Sequence, residues 1–128
     1  MAAYILKDRI NKYHLDGYTE SRAVSYEEEG NDIYPPAKRT LEKHKIKYDY
    51  HKAKRITKND YDCFDLIYVM EEYNLDLLKR IVDDRNKKLF KLCPFDIEDP
   101  WYTGNYEKVF SQISERIDNL INELKLID

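Results

Sequence analysis

The chain has 128 residues, 37 % of them charged, and a formal net charge of −3 at pH 7. That length fits one domain with a modest core, and the charge balance argues against a nucleic-acid binder that works by bulk positive charge. No apolar stretch is long enough to span a bilayer, and the first residues form an amphipathic pattern rather than the basic head and apolar block of a secretory signal.

In chain order, Ala3, Leu6, Ile10 and Tyr13 recur at steps of three and four and predict a helix over 2–14, closed by Gly17. Residues 19–24 read as a short, weak strand. Residues 25–36 read as a loop, acidic and solvated at Glu27, Glu28 and Glu29 and turning at Gly30-Asn31. Pro35-Pro36 suits a helix start, with Ala37, Leu41 and His44 on one face. A connector over 45–50 alternates Tyr48 and Tyr50. The basic run His51-Lys52-Ala53-Lys54-Arg55 suits either a phosphate patch or a solvated edge, and charge alone favours the edge. Thr57 and Asp60 have the spacing of a capping box.

Phe64 to Met70 is nearly continuous apolar sequence, the pattern of a strand buried on both faces. A helix follows with Leu75, Leu78 and Val82 on one face, then a charged turn over 83–88 and a second short strand from Leu89 to Cys93. The last helix carries Phe110, Ile113, Ile117, Leu120 and Leu124 at helical steps. Strands alternating with helices predict an α/β fold with a parallel sheet flanked by helices, and such sheets bind ligands at the carboxyl ends of their strands. Cys63 and Cys93 stand alone in or beside apolar runs, without metal-ligand spacing, which predicts buried, reduced thiols of a cytoplasmic protein.

On that rim, after the second strand, lies Asp99-Pro100-Trp101-Tyr102-Thr103-Gly104. Proline and glycine bracket a loop of fixed geometry. A carboxyl group held beside aromatic side chains suits general-acid help to an aromatic leaving group. A polar turn whose Trp101 and Tyr102 pack on the core is the simpler reading of the same spacing.

The order of motifs resembles the low molecular weight protein-tyrosine phosphatases over nearly the whole chain. Asp99-Pro100-Trp101-Tyr102 with Gly104 is similar to the family's acid loop. Ser21-Arg22-Ala23-Val24-Ser25 with Gly30-Asn31 is similar to its Ser-Ala-x-Thr-Ser…Gly-Asn segment, and His51 to Thr57 to its His-x-Ala-Arg-x-Ile/Val-Thr stretch. Phe64-Asp65-Leu66-Ile67, Met70 and Asn74-Leu75 resemble its central segment. The resemblance implies a three-layer fold and hydrolysis of phosphotyrosine through a phosphocysteine. It makes Asp99 the general acid, Trp101 and Tyr102 the walls of the substrate cleft, and Ser21 and His51 supports of the phosphate loop. It implies no metal or organic cofactor, and phosphotyrosine proteins or small aryl phosphates as partners rather than nucleic acid or membrane.

The chain departs from the family at its start. The family places its nucleophile in a Cys-x5-Arg loop after a first central strand, and this sequence opens Met1-Ala2-Ala3-Tyr4-Ile5-Leu6, as though just past that loop. The expectation is therefore a single domain over 1–128, shortened at its amino end, with no nucleophile of its own and no activity alone. Smaller departures are Arg22 for a small residue, Lys54 for arginine and Glu71 for aspartate. The alternatives are a non-catalytic binding or regulatory relative and, more distantly, an arsenate reductase-like protein, for which a convincing cysteine pair is lacking.

Overall fold

The computed structural model describes residues 1–24, 32–49 and 52–123. Two short strands form its sheet, β1 (Ile67–Val69) and β2 (Leu89–Lys91). They run parallel, with Ile67 opposite Leu89, Tyr68 opposite Phe90 and Val69 opposite Lys91. A separate parallel bridge joins Ala23 to Arg55. There the Ala23 N–H donates to the Lys54 carbonyl at 2.7 Å, and the Ile56 N–H to the Ala23 carbonyl at 2.8 Å.

Among the described residues, six helices surround these strands: α1 (Ala2–Lys12), α2 (Pro35–Lys43), α3 (Lys58–Cys63), α4 (Glu72–Ile81), α5 (Pro100–Thr103) and α6 (Tyr106–Glu123). Side chains alternate across a strand, and the two faces of β1 meet two different cores. Tyr68 packs into a cluster built from α1, α2 and α6 around Ile5, Leu41, Phe110, Ile113 and Ile117. Ile67 and Val69 face the opposite way, into a cluster with Ile56, Tyr61, Leu78 and Val82 from the α3 and α4 side. The result is the expected three-layer arrangement of helices, parallel sheet and helices.

The helix α6 holds the first layer together. Val109, Phe110, Ile113, Ile117, Leu120 and Ile121 form one buried stripe, and both α1 and α2 dock on it. The Arg9 Nε donates to Asp118 at 2.8 Å across the α1–α6 contact. His44, at the end of α2, stacks its ring on Phe110 with 3.9 Å between centroids. The capping box at α3 forms as the spacing predicts: the Asp60 N–H donates to the Thr57 hydroxyl and the Thr57 N–H to the Asp60 carboxylate.

Four expectations need correction. The helix α1 ends at Lys12, and the residue it buries fully is Ile5, with Ala2 and Leu6 beside it; Tyr13 is exposed. Ile5, Leu6 and Ile10 offer two overlapping stripes, and docking on α6 selects the one through Ile5. The first strand covers three residues rather than seven. It is half-buried at Ile67 and Tyr68, because among the described residues only β2 pairs with it. The segment 19–24 contributes a single bridge instead of a strand. Cys93 is buried as expected, but Cys63 is exposed, since it closes the short α3 at the surface. Expectations for Glu27, Glu28, Glu29, Gly30, Asn31, Tyr50, His51 and Leu124 lie outside the described residues.

Candidate active-site loop

The loop starts from a firm anchor. Ile97 is fully buried, and its N–H donates to the carbonyl of Met70, directly after β1, at 2.9 Å. Two residues later Asp99 caps α5, its Oδ1 accepting the Trp101 N–H at 3.0 Å. Pro100 occupies the first helical position, where its missing N–H costs nothing and its fixed φ suits the turn. Gly104 closes α5 at φ 75°, a left-handed conformation that glycine adopts without strain, and donates to the Pro100 carbonyl at 2.8 Å. Asp99 is half-buried.

Its charge is felt by two neighbouring elements. Glu71, the residue that caps α4, has its carboxyl pushed up by burial and further by Asp96 and Asp99. The Tyr106 hydroxyl, at the start of α6, is pushed up by burial, then by Tyr34 and Asp99. Asp99 therefore lies between the starts of α4 and α6, at the carboxyl rim of the sheet. That is where the strand–helix alternation places a ligand.

The rings beside it face solvent. Trp101 and Tyr102 are 59 % and 77 % exposed, so they do not pack on the core as an ordinary turn would have them. They meet edge to face at 4.8 Å between centroids. Tyr34, half exposed, meets Trp101 edge to face at 6.5 Å from the residue before α2. Sequence reasoning missed Tyr34, whose only local signal was its place before Pro35. Exposed aromatics grouped beside a carboxyl group form a surface suited to a flat ring.

Sequence reasoning also missed Glu98. Its Oε1 accepts from Lys108 at 2.8 Å and its Oε2 from the Asn105 amide at 3.3 Å. Lys108, then the Thr103 hydroxyl and Asn105, hold the Glu98 carboxyl down from the ordinary 4.5 to about 2. Glutamates are common along this chain, so nothing in the order of residues marked this one.

Ser21 lies just before the Ala23–Arg55 bridge. Its carbonyl accepts from Arg22 at 2.8 Å. Arg22, the unusual residue of that segment, reaches Asp60 at 3.2 Å, which ties the bridge segment to the capped end of α3. Partial burial pushes the Asp60 carboxyl up, but the Thr57 N–H and Arg22 outweigh it and hold it below the usual range. The expected support at His51 lies outside the described residues. Two shallow concavities of about 440 and 490 Å³ open elsewhere, one between α1 and residues 45–49, the other between α3 and the end of α4. Neither is lined by residues 99–104.

Asp99 is thus a half-buried carboxyl group at a helix start, beside exposed rings on the rim of a parallel sheet. The family model for low molecular weight phosphotyrosine protein phosphatases matches residues 1–126. The low molecular weight protein-tyrosine-phosphatase PtpA of Staphylococcus epidermidis is 31 % identical over 129 residues, covering 95 % of this chain and 82 % of its own length. PtpA of Staphylococcus aureus is 30 % identical over the same span, with the same coverage. Among solved structures, the low molecular weight protein tyrosine phosphatase of Streptococcus pyogenes superposes with a TM-score of 0.83 at 26 % identity, over 96 % of this chain and 82 % of that one. YfkJ from Bacillus subtilis superposes with a TM-score of 0.89 at 25 % identity, over 97 % and 84 %. The chain belongs to the low molecular weight phosphotyrosine protein phosphatase family.

Proposed function

We propose that this chain carries the acid loop and ring-binding surface of a protein-tyrosine phosphatase that hydrolyses phosphotyrosine, or small aryl phosphates, through a phosphocysteine. The observation that carries the reading is Asp99 itself: held at the start of α5, half-buried, and followed in the chain by Trp101 and Tyr102, with Tyr34 against Trp101. In this mechanism a thiolate from a Cys-x5-Arg loop attacks phosphorus, and the bond to the phenol oxygen breaks. Asp99 gives its proton to that oxygen. As a carboxylate it then takes a proton from the water that attacks the phosphocysteine and releases phosphate. Such acid help is worth about 10²–10⁴-fold in rate.

Neither thiol of the 128 residues suits the nucleophile's part. A phosphatase nucleophile needs a depressed pKa, which a positive or polar setting supplies. The Cys93 thiol is pushed up by burial, more than nearby Arg116 lowers it. Six residues after Cys63 stands Val69, and six after Cys93 stands Asp99, where an arginine is required. The reading accordingly has the 128 residues inactive by themselves, forming one domain that acts in the cytoplasm. A non-catalytic binding relative is the second reading, favoured by the unsuited thiols and opposed by the intact Asp99-Pro100 pair, for which binding alone has no chemical use.

The test is turnover of p-nitrophenyl phosphate by the purified 128-residue chain. No turnover is expected. Turnover that disappears with Asp99→Ala would mean that a nucleophile lies within these residues and that the assignment of roles is wrong.

A further inference from the structure

We propose that Glu98 is a positioning residue for the acid loop: its carboxylate, tied to residues 103–108, sets where Asp99 presents its proton. The proposal rests on Asp99 as the general acid. Asp99 is bonded within its own turn, its Oδ1 accepting the Trp101 N–H and its carbonyl the Tyr102 N–H at 3.1 Å, so its place depends on what holds that turn. The helix it caps has four residues, too few to be stable by themselves. Chain geometry fixes Asp99 on one side only, through Ile97, buried and bonded to the Met70 carbonyl two residues before it.

Glu98 closes the other side. One oxygen accepts from Lys108 on the first turn of α6, at 2.8 Å, and the other from Asn105, at 3.3 Å. The Thr103 hydroxyl oxygen accepts the Asn105 N–H at 3.2 Å and so ties Asn105 back into the turn. The clamp therefore runs from the residue before Asp99, across the whole turn that holds Trp101, Tyr102 and Gly104, to α6. A single exposed ion pair does little, but two donors, one on each oxygen of the carboxylate, fix its direction, and hydrogen bonds to a charged acceptor are the stronger kind. The positive end of α6 favours an anion there as well. Displacement of a reacting group by about 1 Å can cost on the order of 10²-fold in rate, so a clamp on the acid's own backbone bears on catalysis without touching substrate.

The experiment uses the full chain and two local signals. The amides of Trp101 and Gly104 donate inside the loop, so their hydrogen exchange reports its opening. Trp101 is the one tryptophan in the chain, so the near-UV circular dichroism of its band reports its packing on Tyr34 and Tyr102. Glu98→Ala and Lys108→Met are expected to speed exchange at Trp101 and Gly104 several-fold and to weaken the tryptophan band. The amides of the buried α6 stripe, and the melting temperature, should stay at the parent values. Glu98→Gln, which keeps the acceptor and loses the charge, should fall between parent and Glu98→Ala. Unchanged exchange at both loop amides would overturn the proposal. So would acceleration spread evenly through α6 with a lowered melt, which would make Glu98 an ordinary structural contact. Because neither signal needs turnover, a finding that Asp99 is not the acid would leave these readouts intact and would be recognised separately.

Discussion

At the scale of single residues, the Asp99 loop is set by a few local contacts that can each be tested. The Glu98 carboxyl lies below its ordinary value, at about 2, because Lys108, Thr103 and Asn105 favour its charged form. A depressed carboxyl contributes order that is fully present above its ordinary value, 4.5, and is lost as the pH falls through its folded value. The near-UV band of Trp101 should therefore keep a component that survives to below pH 4 and disappears toward pH 2. Glu98→Gln should lack that low-pH step; a step of the same position and size in the variant would assign it to another carboxyl. Gly104 is a second handle. No atom lies within 4 Å of where its Cβ would stand, so only its φ of 75° resists substitution. Gly104→Ala is expected to cost about 1–2 kcal/mol, read from denaturant unfolding, and Gly104→Asn less. The order of residues marks Asp99, Trp101 and Tyr102 as candidates, since a proline-bracketed motif is local. It does not mark Tyr34, whose ring partner is Trp101 far along the chain, or Glu98, whose contacts only the folded turn brings together.

At the scale of elements, periodicity was a good guide where an element buries one long stripe and a poor one where it is short. The helix α6 matches its predicted face residue for residue at Phe110, Ile113, Ile117 and Leu120. Ile117 stands nearly wholly buried at the centre of that stripe, and Ile117→Ala is expected to cost about 2–5 kcal/mol, measured by the shift of the unfolding midpoint. The capping box was equally legible, because its two residues are three apart and need no tertiary context. Thr57→Ala should cost about 0.5–2 kcal/mol, and a midpoint unchanged by it would show that α3 is held by packing alone. The face of α1 and the length of β1 were misread for one reason. Both depend on what lies against the element, and no local pattern carries that.

At the scale of the whole molecule, the sheet leaves one edge of β1 in view. The Ile67 N–H donates to the Lys88 carbonyl and the Val69 carbonyl accepts from Leu92, so both point at β2. Tyr68, between them, turns its N–H and carbonyl to the other side, where no strand pairs among the described residues. An open strand edge invites association with another chain. The Tyr68 amide is expected to exchange much faster than that of Ile67, and equal protection would mean that the edge is covered. The central claim, that Asp99 is the general acid of a phosphotyrosine phosphatase, is tested most directly by a chimera that places the family's strand and Cys-x5-Arg loop ahead of Met1. Turnover of a series of aryl phosphates by this chimera and by its Asp99→Asn form is the measurement. The account predicts a loss of roughly 10²–10⁴-fold for poor leaving groups, shrinking as the leaving group needs less protonation, with phosphate or vanadate affinity nearly unchanged. An active chimera in which Asp99→Asn makes no difference across the series would contradict it.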